Sequence, residues 1–227
     1  MKLLSIDTSS KNFSIAISDN EKVLRHRNLE LGKQLSSSII KHIKSLLSAA
    51  KLSVKDVDAL IVGLGPGSFT SLRVGLATGK ALALALKLPV IGISSLDVIA
   101  MNVIKEKNIC VINDARRDLV YAAFYNVNAE GRLERSGEYL LVDLKSVLSK
   151  IKKDFAILGD AVKMIVESER KRLIAMGCKL YDEKYWCPQA KFLPVLAKDK
   201  LANKKFDDPI KMVPLYLHAE DCQVSKK

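Results

Sequence analysis

Residues 2–29, KLLSIDTSSKNFSIAISDNEKVLRHRNL, carry the pattern from which the fold is read. Residues 2–7 form a mostly apolar run ending on Asp7, followed by the hydroxyl-rich turn Thr8-Ser9-Ser10. Residues 13–18 set Phe13, Ile15 and Ile17 against Ser14, Ala16 and Ser18, the two-residue period of a strand. Asp19-Asn20 makes a tight turn, and residues 22–29 return as a third, more polar strand. Working outward, residues 33–51 place Leu35, Ile39, Ile43, Leu46, Leu47 and Ala50 on one helical face, with Ser and Lys on the other. Residues 58–64 are a nearly continuous apolar strand of the kind buried on both faces. The glycine-rich turn Gly63-Leu-Gly-Pro-Gly-Ser-Phe-Thr70 opens a helix over 70–86, followed by a strand at 89–94 and a helix at 95–105. The second half repeats the series in degraded form. Strands are expected at 108–114, 119–127, 138–142 and 155–158, with helices at 144–151, 162–174 and 190–200. The pattern implies two α/β lobes, each with a mixed sheet flanked by helices. Their boundary falls near residue 105, with residues 1–105 and 206–227 in the first lobe and 106–205 in the second.

The remaining composition is that of an ordinary globular chain of 227 residues, which excludes disordered, collagen-like and disulfide-dense classes. The net charge of +12 favours an anionic partner. That charge is spread as +7 over residues 1–105 and +5 over 106–227, with no polybasic block. A lysine-rich codon bias accounts for it equally well. The apolar start meets Asp7 too early for a secretory leader, and the longest uncharged run is too short and glycine-broken to span a bilayer. Cys110, Cys178, Cys187 and Cys222 form no C-x-x-C pair, so reduced thiols, a cytoplasmic setting and no membrane association are expected.

No motif assembles a conventional active site. Gly79-Lys80 lacks the flanking Gly and Ser/Thr of a Walker loop, having Val74 and Ala81 there, and Gly65-x-Gly67 meets Thr70 where a dinucleotide fingerprint needs a third glycine. A glycine-rich loop ahead of a helix either holds an anion on free N–H groups or lets another chain sit close. Asp7, Thr8 and Ser9, with Gly65 and Gly67, are therefore candidate phosphate ligands, the alternative being an Asp that caps its own turn. A nuclease-type two-metal site would need more carboxylates at later strand ends. His26, His42 and His218 have no ligand-spaced partners, so no metal is expected. Trp186 with Tyr181 and Tyr185 reads as a base-stacking cluster or as local core. Arg116 and Arg117, in Asp114-Ala-Arg-Arg, end a strand where an arginine meets RNA, a partner carboxylate or a nearby acidic residue of its own chain. The helix over 70–86 is unusual in its small residues, Gly75, Ala77, Gly79, Ala81, Ala83 and Ala85. Two interior glycines cost about 1 kcal/mol each against alanine, which calls for compensation by a closely approaching backbone.

Four segments together carry a family resemblance: Leu4-Ser-Ile-Asp-Thr-Ser9, Gly65-Pro-Gly-Ser-Phe-Thr-Ser-Leu-Arg-Val-Gly75, Pro89-Val-Ile-Gly-Ile-Ser-Ser-Leu96 and Asp114-Ala-Arg-Arg117. They resemble the TsaB (YeaZ) family, subunits of the bacterial machinery that installs threonylcarbamoyl on adenosine 37 of tRNA. The resemblance is specific over residues 1–125 and looser to Pro214-Leu-Tyr216. It implies an actin/Hsp70/sugar-kinase-like (ribonuclease H-like) fold and a non-catalytic scaffold that pairs with the catalytic relative TsaD, with the ATPase TsaE as third member and tRNA reached through the complex. It further implies no cofactor of its own, a nucleotide at the complex interface, and a homodimer when isolated. Gln34, Ile39, Ser68, Phe69, Thr70, Arg73, Leu76, Gly79, Lys80 and Ala83 are then the candidate partner interface. The chain departs from the family pattern at Gly32-Lys33-Gln34, Ser71, Asp118-Leu119 and His218. The competing class is a small actin-like-fold kinase or ATPase using the Asp7-Thr8-Ser9 turn. A peptidase reading lacks both metal ligands and nucleophile.

Overall fold

Alternation at Phe13, Ile15 and Ile17 decides which face of the first sheet meets helices, and all three side chains are buried. The computed structural model describes residues 1–217. The first sheet contains β1 (Lys2–Asp7), β2 (Asn12–Asp19), β3 (Lys22–Glu30), β4 (Ala59–Gly63) and β5 (Val90–Ile93) in the order β3-β2-β1-β4-β5. The β1–β2 and β2–β3 pairs are antiparallel, and β1–β4 and β4–β5 are parallel. Asn20 turns the β2–β3 hairpin with φ of 49°, a left-handed conformation that Asn tolerates. Helices α1 (Leu35–Ala49) and α2 (Phe69–Leu86) cover one face, packing Ile39, Ile43, Leu46 and Leu76 on Leu4, Ile6, Leu60 and Val62.

The second sheet repeats that order strand for strand. It contains β6 (Asn108–Arg116), β7 (Leu119–Val127), β8 (Leu133–Asp143), β9 (Phe155–Leu158) and β10 (Lys179–Leu180), ordered β10-β9-β6-β7-β8 with the same parallel and antiparallel pairs. Its helix layer is much shorter, with α4 (Leu144–Lys150) and α5 (Glu167–Ala175). Between the sheets, α3 (Ser95–Ala100) buries Val98 against the first unit and Leu96 and Ile99 against the second. The sequence missed β10, whose two residues are too few to show a period.

Several expected helices are interrupted. The one over 162–174 is a 3₁₀ turn, Asp160–Met164, then an extended Ile165-Val166, then α5. At the break the Arg170 guanidinium bonds the Ile165 carbonyl and shares the Val162 carbonyl with the Ile165 N–H. The helix over 190–200 is a 3₁₀ turn, Ala190–Phe192, followed by α6 (Leu193–Leu196) and α7 (Lys198–Ala202). This segment, expected with the second lobe, packs instead on the first sheet. Ala190, Leu193 and Ala197 fill its outer face against Leu3, Ala59, Ile61 and Ile91. The chain then stays with the first unit: Asp207 bridges Val90, and the Leu215 N–H bonds the Leu64 carbonyl at 2.8 Å. His218 and Cys222 lie outside the described residues, as does the rest of the 218–227 stretch.

Candidate functional site

The turn after β1 is closed on itself. Asp7 is fully buried and accepts three hydrogen bonds, from the Ser9 N–H at 2.8 Å, the Ser9 hydroxyl at 2.7 Å and the Ser95 hydroxyl at 2.7 Å. Burial pushes its carboxyl above the usual range, and these three bonds hold it down in part. Ser95 also accepts the Gly65 N–H, the Thr8 hydroxyl donates to the Ser71 carbonyl, and the Ser68 N–H donates to the Ser9 carbonyl. The glycine-rich loop thus lies directly on the Asp7 turn. A methyl on Gly63 would overlap the Asp7 carboxylate, and one on Gly67 would overlap the Ser9 carbonyl. Asp7, Thr8, Ser9, Gly65 and Gly67 lie together in a packed joint in which the Ser9 N–H and hydroxyl, the Thr8 hydroxyl and the Gly65 N–H are bonded within the chain. Beside them remains a cleft of about 160 Å³ lined by Thr8, Ser10, Lys11, Gly32, Ser68 and Ser71, smaller than the roughly 300 Å³ at which ligand sites begin.

The same packing explains the small residues of α2. A methyl on Gly75 would run into the Thr8 side chain, and one on Gly79 would come within 2.6 Å of Val62 Cγ2. What lies close to these glycines is therefore the chain's own Thr8 and Val62 side chains, in place of the close backbone expected from the sequence. Ile39, Leu76, Gly79 and Ala83 are corrected accordingly: all four are buried in the first core and present nothing to a partner. Lys80 is likewise engaged internally, its ammonium donating to the carbonyls of Ile210 and Met212, each at 3.0 Å. Gln34, Ser68, Phe69, Thr70 and Arg73 are exposed. Arg73 stacks on Phe69 at 3.6 Å and reaches the Tyr216 hydroxyl. The outward face of α2 also carries Ala77, Ala81, Leu84 and Ala85, which the interface expectation left out. Phe69 and Leu84 are each 52% exposed. By length and composition α2 is apolar enough to cross a membrane, but its inner face is part of the first core.

At the matching turn of the second unit, Asp160 accepts the Asp114 N–H at 2.7 Å, and burial raises the Asp160 carboxyl. Arg116 folds back on Asp114 at 3.4 Å while remaining exposed, and Arg117 is exposed beside it. Trp186, Tyr181 and Tyr185 pack as local core: the indole N–H donates to the Tyr181 carbonyl and the two tyrosines meet edge to face at 4.9 Å. Among the described residues no cluster of His, Cys, Asp and Glu is able to hold a metal, and Cys110, Cys178 and Cys187 are free thiols. Sequence reasoning missed one polar centre. Asp97 accepts from the hydroxyls of Tyr125 and Tyr139 at 2.8 and 2.9 Å, and burial raises its carboxyl. Its first-turn position on α3 was visible; its partners, far along the chain, were not.

The segment over residues 30–205 matches the family model for TsaD, tRNA N6-adenosine threonylcarbamoyltransferase. Among curated relatives, the tRNA threonylcarbamoyladenosine biosynthesis protein TsaB of Buchnera aphidicola from Schizaphis graminum is 30% identical over 78% of this chain and 89% of its own. The chain belongs to the TsaB (YeaZ) family. TsaB of the Buchnera strain from Acyrthosiphon pisum is 31% identical over 90% of this chain and 92% of its own. Within the TsaB family the fold is shared as well: YeaZ from Pseudomonas aeruginosa superposes with a TM-score of 0.79 over 95% of this chain and 99% of that one, at 23% identity. The two mixed sheets in one strand order are those of the actin-like fold.

Proposed function

We propose that this chain is a non-catalytic subunit in the biosynthesis of threonylcarbamoyladenosine on tRNA, acting in the cytoplasm as the partner of TsaD, with TsaE as a third component. The observation that carries the partner role is the outer face of α2. Ala77, Ala81, Leu84 and Ala85 lie exposed in an uncharged row, and at its N-terminal end the half-exposed Phe69 carries the Arg73 guanidinium stacked on its ring. An apolar face of this kind on a soluble domain marks an interaction site. Small side chains there let a second helix approach closely, and the exposed parts of α1, with Ile40 and Gln34, flank it. The same face serves a homodimer when TsaD is absent. A nucleotide held by the assembly would have to be completed by the partner, because the cleft beside Thr8 and Ser71 is too small alone.

The scaffold role, in place of catalysis, is supported by the closed Asp7 turn. A kinase or ATPase would need the turn's hydroxyls free for phosphate, and here the Thr8 and Ser9 hydroxyls and the Ser9 N–H are bonded within the chain. The test is co-purification with TsaD and a tRNA modification assay. Ala77→Glu and Leu84→Glu are expected to weaken pairing at least 100-fold and to abolish modification, with stability unchanged, since both sites are exposed. Full modification by TsaD without this chain overturns the proposal.

A further inference from the structure

The two units differ most in how far their helix layer reaches. In the first, α1 runs 15 residues, about 22 Å, along the sheet; in the second, α4 runs seven, about 10 Å. The end of the second sheet away from the Asp114 turn is therefore uncovered on the α4 side. A cavity of about 670 Å³ opens there, lined by Asn108, Phe124, Asn126, Ser136, Phe155 and the lysines 150, 152 and 153, with Tyr125 at its base. A bulge widens it. Phe124 pairs with Ser136 and Ala122 with Leu140, so β8 carries two extra residues opposite Ala123, with Gly137 at φ +85° in open space.

The lining is chemically consistent. Among the described residues no carboxylate borders the cavity, and Lys150, Lys152 and Lys153 are exposed and take no part in an ion pair. Phe124 and Phe155 meet edge to face at 6.0 Å on its apolar side. Among the described residues the side chains of Asn108, Asn126 and Ser136 have no hydrogen-bond partner, which leaves amide and hydroxyl groups for a ligand. Three unpaired cations, an aromatic wall and free amides together fit phosphate, a flat ring and its polar edge. We propose that this cavity binds an unpaired nucleotide of an RNA strand, its phosphates on the three lysines and its base against Phe124 and Phe155. A paired base cannot enter, because its edges and faces are taken up in the duplex. The choice of an RNA strand over a free nucleotide rests on the tRNA-modification reading above.

The probe is a fluorescein-labelled single-stranded RNA 12-mer of mixed sequence, titrated against the whole chain without TsaD over a range of salt. The triple variant Lys150→Ala/Lys152→Ala/Lys153→Ala is expected to bind at least 30-fold more weakly and to lower the slope of log affinity against log salt by about 2, at about 0.7 per lost phosphate contact. Lys55→Ala/Lys205→Ala/Lys211→Ala, an equal change of charge on exposed residues elsewhere, is expected to stay within threefold of the parent. Phe155→Leu is expected to bind about tenfold more weakly with the salt slope unchanged. Equal weakening by the two triple variants, or no weakening by the first, overturns the assignment. Saturable AMP binding without RNA binding overturns it as well. If TsaD needs no such subunit yet the first triple variant alone loses RNA, the assembly reading fails and the cavity stands.

Discussion

The two halves of the molecule share one strand order but treat the same turn in opposite ways. In the first, the carboxylate ending strand one is swallowed: Asp7 takes three donors from Ser9 and Ser95 and is sealed by Gly63. In the second, the carboxylate ending strand one is partly open. The acceptor there is the half-buried Asp160, from the loop after β9, which caps the Asp114 N–H. Gly159 is needed there, because a methyl would strike the Ile112 carbonyl. Both turns thus join the first and fourth strands of their sheet through a glycine and a carboxylate, but the carboxylate comes from opposite sides of the joint. The difference teaches that strand order fixes where a polar joint must form, while the local sequence fixes which strand supplies it.

The largest expected effect tests the internal reason for the small residues. Gly79→Leu should destabilise the chain by about 3 kcal/mol in urea denaturation, because the side chain must displace Val62 in the core. A stable monomer that only fails to pair would return Gly79 to the interface. Next in size, Asp7→Ala should cost about 3 kcal/mol, by stranding buried donors, against about 1 for Asp114→Ala. Asp7→Asn sharpens this through pH. The folded carboxyl holds its proton more tightly than the unfolded one, whose pKa is near 3.8. Its stabilising contribution is therefore complete below that pH and declines as pH rises through the raised value. The gap between parent and Asp7→Asn should narrow from pH 4 to pH 7 in denaturation midpoints. Equal gaps at both would mean the carboxyl is not perturbed. Tyr139→Phe, removing one donor to Asp97, should cost about 1 kcal/mol. Smallest of all, Asp118→Gly should add a few tenths of a kcal/mol. Asp118 is the third consecutive residue at positive φ after Arg116 and Arg117, a conformation glycine takes without strain.

Much of this was legible along the chain because strands declare themselves by period. The alternation at Phe13–Ser18 and the apolar run at Ala59–Gly63 located the first sheet, and the repetition of the series located the second. The site was legible in part. The sequence brought Asp7, Thr8, Ser9 and the glycine loop to one place, yet no local signal said that Ser95 and Ser71 would use up their donors. The α2 pattern was seen as small but its two sides were confused. Gly75 and Gly79 serve the interior and Ala77 and Ala81 the outside, and in a helix with so little bulk the periodicity that would separate them is weak. The cavity by Lys150 was invisible, since it arises from the shortness of α4 and a bulge at Gly137, neither of which is a motif.

The packing of Ala190, Leu193 and Ala197 onto β1, β4 and β5 has a consequence for biosynthesis. A ribosome finishes the first sheet after residue 93, yet the layer that covers its outer face emerges about a hundred residues later. Throughout that interval Leu3, Ala59, Ile61 and Ile91 remain without their final cover, and the second sheet folds while its neighbour is half dressed. The nascent chain therefore presents its stickiest surface just when the second sheet is being made. Chaperone demand should fall sharply once residues 190–202 clear the exit tunnel.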